Sequence, residues 1–91
     1  MQKRVVNVTH PPGIHARPSV MIVQLASKFR CQVSLTLNGH TANARNIVAV
    51  MLLAAREGSA ISVETIGPDE CEAIDALVDL IRSRFEKLPV T

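Results

Sequence analysis

Residues 32–43 read QVSLTLNGHTAN, and this stretch decides the fold. Apolar and polar side chains alternate over residues 32–37, which is the period of a strand with one face in a core. Asn38 and Gly39 suit the two positive-φ positions of a type I′ turn, so a partner strand is expected over residues 40–43. That partner is short and polar, as edge strands often are. The stretch therefore predicts a β-hairpin at the edge of a sheet.

The residues before this hairpin predict another strand and a helix. Residues 3–9 alternate, with Val6 and Val8 on one face, whereas residues 9–13 contain two prolines and a glycine and must turn. From Ala16 onward the apolar residues recur at helical spacing. They form one face made of Pro18, Ile22, Leu25, Ala26 and Phe29.

The residues after the hairpin predict a short helix and a fourth strand. The helix begins near Asn46, a good N-cap, and is expected to end at Gly58, a good C′ residue. Residues 60–66 are rich in β-branched side chains and place Ile61 and Val63 on a common face, which is typical of a strand.

A long helix completes the pattern. Gly67 and Pro68 interrupt the chain, and Asp69 followed by Glu72 forms a capping-box pattern. The apolar stripe of this helix consists of Cys71, Ile74, Leu77, Val78, Ile81 and Phe85. The order β-α-β-β-α-β-α predicts an α+β fold, in which a four-stranded antiparallel sheet carries three helices on one face. We expect one domain over residues 1–91.

The composition of the chain excludes several classes of protein. Hydrophobic residues make up 47% of it, but there is no Trp or Tyr and there are only two Phe, so the core must be aliphatic. The scarcity of aromatic residues argues against a module that stacks single-stranded bases. A net charge of +2, with Lys and Arg scattered along the chain, gives no expectation of nucleic-acid binding. Cys31 and Cys71 lack CxxC spacing, which favours buried reduced thiols and leaves a single disulfide as the alternative.

Neither a secretory signal nor a membrane span is expected. Asn7, Thr9 and His10 interrupt the apolar stretch that a signal peptide needs. The longest apolar run, residues 47–55, is far shorter than the ~20 residues of a membrane-spanning helix. We therefore expect the chain in the cytoplasm.

The candidate chemistry lies in residues 13–18, which read GIHARP. His15 falls just before the predicted helix, whose first backbone N–H groups lack partners and carry the positive end of the dipole, so they suit an anion. Gly13 lets the backbone turn sharply, Arg17 adds a cation matched to phosphate oxygens, and Pro18 is tolerated in a first turn. The segment is typical of an anion site beside an imidazole.

Such a site could both accept and release a phosphoryl group. The neutral imidazole of His15 is the nucleophile, and the positive helix end favours that form and also stabilises the negative charge of a bound phosphoryl group. Spacing alone leaves a second interpretation open, because a single histidine in a loop is often only a surface residue.

The segment GIHARP resembles the phosphorylation-site motif of HPr, the histidine-containing phosphocarrier of the bacterial phosphoenolpyruvate-dependent phosphotransferase system. The resemblance extends over nearly the whole chain. Asn38-Gly39, the apolar second helix closing at Gly58, and residues 67–70 fall where that family places them. The family's open-faced β-sandwich also has the element order derived above.

The resemblance implies a carrier rather than an autonomous enzyme. His15 would be phosphorylated on Nδ1 by phospho-enzyme I and would pass the group to an EIIA-type protein, without a cofactor. Arg17 would steady the phosphate, together with the backbone N–H groups of Ala16 and Arg17. We expect a monomer.

Partners of the family dock on the first and second helices, and the sequence supports such a surface here. Val20 and Gln24 lie off the inward face of the first helix, and a short helix that is apolar all round cannot bury its whole circumference. The candidate interface residues are Val20, Gln24, Ile47, Val48 and Met51. The alternative is that the apolar residues of the second helix are core, and Val50 and Leu52 are the better core candidates.

Two departures from the family pattern bear on function. Asn46 stands where many members carry a serine that a regulatory kinase phosphorylates, so control through that serine is not expected. Pro11 and Pro12 replace small polar residues before the glycine and remove backbone donors. The region from residue 44 to 55 also resembles the nitrogen-related branch, NPr, so a regulatory module that signals through the phosphorylation state of His15 is a second hypothesis.

Two other kinds of site have less support. A zinc site needs at least three converging ligands, and no Cys or carboxylate spacing accompanies His10, His15 and His40, so we expect surface histidines and no metal. A hydrolase that uses His15 as a general base would need an orienting carboxylate, and the nearest acidic residue along the chain is Glu57.

Overall fold

Seven elements follow one another in the predicted order. The computed structural model describes residues 1–8, 16–53 and 58–83. Within them lie β1 (Gln2–Asn7), α1 (Ala16–Ala26), β2 (Gln32–Leu37), β3 (His40–Asn43), α2 (Ile47–Leu52), β4 (Ala60–Ile66) and α3 (Glu70–Arg82). The bounds of β2, β3 and β4 are those expected from the alternation of side chains.

The four strands form one antiparallel sheet in the order β1-β4-β2-β3. The hairpin between β2 and β3 turns through Asn38 at φ 51° and Gly39 at φ 81°, which confirms the predicted turn. Strand β4 is central, because Val63 lies opposite Arg4 of β1 on one side and Leu35 of β2 on the other. The hairpin is thus joined to β1 only through β4.

The core lies between one face of the sheet and the helices. Alternate residues of the central strands are buried, including Leu35, Ile61 and Val63, and α3 packs against β1 and β4 with its own buried side chains. Those α3 residues are Ala73, Ile74, Leu77, Val78, Leu80 and Ile81. The opposite sheet face carries small polar side chains such as those of Ser34 and Ser62. The α+β architecture with an aliphatic core is therefore confirmed.

Three local predictions need correction or lie outside the described residues. Helix α2 ends at Leu52, earlier than expected; Gly58 does adopt a positive φ of 91°, but residues 54–57 lie outside the described parts. Cys71 is exposed, because the buried residues of α3 begin only at Ala73. Both cysteines are free thiols, and Phe85 lies outside the described residues.

The predicted capping box at the start of α3 is wrong in detail. Asp69 is the residue before the helix, but its side chain makes no cap hydrogen bond. Its carboxylate instead accepts from the backbone N–H groups of Arg30 at 2.8 Å and Cys31 at 2.9 Å. A long-range contact has therefore replaced a local one.

Candidate functional site

Helix α1 begins at Ala16, the residue that follows His15 in the chain. Arg17 is exposed in its first turn, Pro18 is buried, and no acidic residue stands in that turn. The start of α1 therefore has the helix dipole, a cation and no competing carboxylate of its own, which suits an anion. Gly13 and His15 lie outside the described residues, so the imidazole position remains a prediction.

The inward side of α1 determines which of its residues reach solvent. Ser19, Ile22 and Ala26 are fully buried, and this orientation exposes Val20 and Gln24 on the opposite side. Helix α1 contacts both α2 and α3. Val20 and Gln24 therefore belong to the solvent side of a helix that has α2 as its neighbour.

Helix α2 exposes most of its apolar side chains. Ile47, Val48 and Met51 are exposed, while Val50 is buried as predicted. Leu52 was expected in the core, and that prediction is wrong, because 78% of the residue is exposed. It stands four residues after Val48 and so shares its solvent-facing side. That spacing is the sequence signal that could have placed it there.

These exposed residues of the two neighbouring helices are referred to below as the α1–α2 face. Its members are Val20, Gln24, Ile47, Val48, Met51 and Leu52. Several large apolar side chains exposed on two neighbouring helices are typical of protein interfaces. The face carries no charged side chain, so contact with a partner there would be mainly apolar.

The start of α2 is fixed by its N-cap. The Oδ1 atom of Asn46 accepts a hydrogen bond from the backbone N–H of Ala49 at 3.1 Å, as the cap prediction requires. Asn46 therefore caps the helix as a serine could, but it has no hydroxyl that a kinase could modify.

Arg45 was not singled out by the sequence, yet it makes two long-range hydrogen bonds. Its Nη2 group donates to the backbone carbonyl oxygens of Phe29 and of Cys31, the latter at 2.8 Å. Those carbonyls belong to the connection between α1 and β2. No pattern along the chain indicates this contact, because the partners are 16 and 14 residues away.

Two carboxyl groups near the start of α3 have shifted pKa values. The N–H of Arg30, with that of Cys31, holds the pKa of Asp69 below its ordinary value, while desolvation opposes this. The N-terminal ammonium group of the chain lies 2.7 Å from Glu70, and this contact is the main reason that the pKa of Glu70 is lowered.

Burial raises the pKa of the Cys31 thiol, which therefore stays protonated and unreactive at neutral pH.

Other kinds of site receive no support from the described residues. Within residues 1–8, 16–53 and 58–83, no three His, Cys, Asp or Glu side chains converge as metal ligands would. His40 is exposed at the first position of β3, and His10 lies outside the described parts. In the same ranges, no helix is long and apolar enough to cross a membrane.

Comparison with protein families tests the resemblance of the chain to a known family. The family model PTS-HPr, described as the PTS HPr component phosphorylation site, matches residues 2–83. The chain belongs to the HPr family. The match includes the segment GIHARP, the hairpin and all three helices.

Individual members of the HPr family resemble the chain over almost its whole length. Phosphocarrier protein HPr of Cupriavidus necator is 46% identical over 85 residues, which cover 93% of this chain and 96% of the relative. The HPr of Xylella fastidiosa strain Temecula1 is 40% identical over 87 residues, covering 96% and 98%. The crystal structure of HPr-C-His from Thermoanaerobacter tengcongensis has a TM-score of 0.91 and 37% identity, covering 98% and 100%.

Family membership establishes a general role and leaves the finer predictions as proposals. Members of the HPr family are phosphocarriers of the phosphotransferase system, and the relatives above carry the HPr name, which does not favour the NPr hypothesis. The roles of His15, Arg17 and the α1–α2 face are argued next.

Proposed function

We propose that the chain carries a phosphoryl group on Nδ1 of His15, accepting it from phospho-enzyme I and passing it to an EIIA-type protein. The observation that carries this proposal is the family match over residues 2–83, whose description names a phosphorylation site. It is supported by the start of α1 at the residue after His15 and by the exposure of Arg17 in its first turn.

The chemistry needs only one nucleophile and a place for charge. The Nδ1 lone pair attacks phosphorus, the bond between phosphorus and the donor breaks, and the donor takes back that electron pair. The phosphoryl oxygens then face the N–H groups that open α1 and the guanidinium of Arg17, which stabilise negative charge. The group leaves by the reverse displacement on the next protein, so the site holds it without trapping it.

The α1–α2 face provides the surface on which the protein partners dock. Four of its six members lie on α2, and their apolar side chains gain most from desolvation by a partner. Because the phosphoryl donor and the phosphoryl acceptor dock on the same face, the two partners bind one after the other and not together. Sugar uptake follows if the acceptor is of the sugar type.

Labelling with phosphoenolpyruvate and a bacterial enzyme I tests the assignment of His15. We expect one acid-labile phosphate on the wild-type chain and none on His15→Ala. The matched control is His40→Ala, because His40 is exposed at the start of β3 and should not affect labelling. Equal labelling of the His15→Ala variant would show that the assignment is wrong.

Two further measurements define the reaction. Arg17→Ala should slow transfer by about one to two orders of magnitude without unfolding the domain, because it removes a positive charge that stabilises the transition state.

Offering the phosphorylated chain to sugar-type and nitrogen-type EIIA proteins distinguishes the sugar-uptake hypothesis from the regulatory one. Acceptance by the nitrogen-type protein alone would support the regulatory hypothesis instead.

A further inference from the structure

The connection between α1 and β2 is held from two sides by opposite charges. On one side, the guanidinium of Arg45 donates to the carbonyl oxygens of Phe29 and Cys31. On the other side, the carboxylate of Asp69 accepts from the N–H groups of Arg30 and Cys31. One peptide segment, residues 29–31, therefore has its carbonyls bound by a cation and its amides bound by an anion.

The two charges come from different parts of the fold. Asp69 immediately precedes α3, whereas Arg45 immediately precedes Asn46, the N-cap of α2. Arg45 thus links the connection that follows α1 to the start of α2. Asp69 links the same connection to the start of α3, and α3 does not contribute to the α1–α2 face.

The backbone around Arg45 is itself well anchored. The N–H of Ala44 donates to the carbonyl of Val33 at 2.9 Å, which extends the pairing with β2 beyond the end of β3. The N–H of Arg45 donates to Oδ1 of Asn43 at 2.9 Å, and the N–H of Asn46 donates to the carbonyl of Asn43 at 3.0 Å. A guanidinium that extends from this rigid turn can transmit position and not merely add charge.

Helix α2 needs such an anchor because its own burial is slight. It has six residues, and Val50 is the one that is buried. A helix of this length is marginal by itself, so contacts at its ends decide where it lies. The α1–α2 face is complementary to a partner only if α2 is correctly placed against α1.

We propose that Arg45 is a positioning residue for the docking of enzyme I, whose two hydrogen bonds to the Phe29 and Cys31 carbonyls preform the α1–α2 face by fixing the start of α2 against the connection that follows α1. This inference rests on the proposed function, since it concerns docking during phosphoryl transfer. Preforming a surface increases affinity by removing the cost of ordering it on binding. Arg45 is half-buried, and its Nη2 group already has partners within the chain.

Arginine suits this role better than lysine does. The planar guanidinium has several donors in a fixed geometry and can hold two carbonyls at a defined separation, whereas an ammonium on a flexible stem is a point charge. An Arg45→Lys variant therefore keeps the charge and loses the geometry. This difference separates positioning from simple electrostatic attraction of a partner.

The experiment measures KM and kcat for phosphorylation of the full chain by enzyme I. The variants are Arg45→Gln, Arg45→Lys and Asp69→Asn, all assayed well below their unfolding temperatures as checked by circular dichroism. We expect Arg45→Gln to raise KM by about five- to tenfold with kcat unchanged, since the reacting groups are not altered. Arg45→Lys should raise KM to an intermediate value.

Asp69→Asn is the matched control, because it releases the same peptide segment from the side that does not lead to α2. It should lower the unfolding temperature while KM stays within about twofold of the wild-type value. Amide NMR shifts of residues 46–52 should move in Arg45→Gln and not in Asp69→Asn.

The outcomes are distinct. A wild-type KM in Arg45→Gln, or equal increases in KM for Arg45→Gln and Asp69→Asn, would overturn the inference. If Arg45→Gln does not fold, Arg45→Lys decides: a wild-type KM in that variant would leave Arg45 with a charge role only. A wild-type chain that enzyme I does not label would instead refute the proposed function.

Discussion

Helices α2 and α3 are both rich in apolar residues, but they use them in opposite ways. Helix α3 has 13 residues and buries six of them against the sheet. Helix α2 has six residues, buries Val50 alone, and exposes four large apolar side chains to solvent. The contrast shows that apolar content does not predict burial when an element is too short to lie across the sheet.

The difference has a functional meaning. The apolar side chains of α3 stabilise the fold, whereas we propose that those of α2 contact another protein. Helix α3 carries its apolar residues on the buried side and charged residues, such as Asp75 and Asp79, on the solvent side. Helix α2 has no charged residue at all within Ile47–Leu52.

The largest expected effect tests the burial difference with the same substitution in both helices. Leu77 in α3 is fully buried, so Leu77→Ala should lower the free energy of unfolding by about 2–5 kcal/mol. Leu52→Ala in α2 should change it by less than about 0.5 kcal/mol, because that residue is mostly exposed. Urea unfolding followed by circular dichroism measures both, and equal losses would contradict the comparison.

A smaller effect concerns docking and compares two exposed valines. Val48→Ala on α2 should raise KM for phosphorylation by enzyme I by about fivefold, which corresponds to about 1 kcal/mol of lost contact. Val5 is equally exposed, at 63% against 60% for Val48, but it lies on β1. Val5→Ala should leave KM unchanged. If both substitutions weaken docking alike, exposure and not position on α2 is what matters.

The smallest effect concerns the pH dependence of stability and compares the two helix starts. Asp69 and Glu70 at the start of α3 have lowered pKa values, so their stabilisation is full above the ordinary carboxyl values of about 4 and is lost as the pH falls through the lowered folded-state values. A double Asp69→Asn, Glu70→Gln variant should therefore lose less stability than the wild type does as the pH falls from about 5 to about 2.

The control for this pH effect is the uncharged cap of α2. Asn46→Ala removes a hydrogen bond to the N–H of Ala49 and should lower the free energy of unfolding by about 1 kcal/mol. Because asparagine does not titrate, that loss should be the same across the acid range. Urea titrations at several pH values measure both variants, and a steeper acid dependence in the double variant would refute the assignment.

Much of the fold was predictable because its signals are local. Alternation over residues 32–37 and 60–66, the Asn38-Gly39 turn, and the cap at Asn46 each depend on neighbours along the chain, and each is confirmed. The clearest failure has the opposite property, because the partners of Asp69 lie 39 and 38 residues away along the chain. The exposure of Leu52 is a different case, since its spacing from Val48 was a local signal.

The candidate site divides in the same way. The amino-acid pattern alone was sufficient to identify GIHARP, the start of a helix behind it and the family, because a motif and its spacing are properties of the chain itself. Five of the six members of the α1–α2 face were also predicted from the chain, whereas the reach of Arg45 to the Phe29 and Cys31 carbonyls emerged only when the chain was folded. Burial and long-range hydrogen bonds are set by which surfaces meet in space, and no local propensity encodes that meeting.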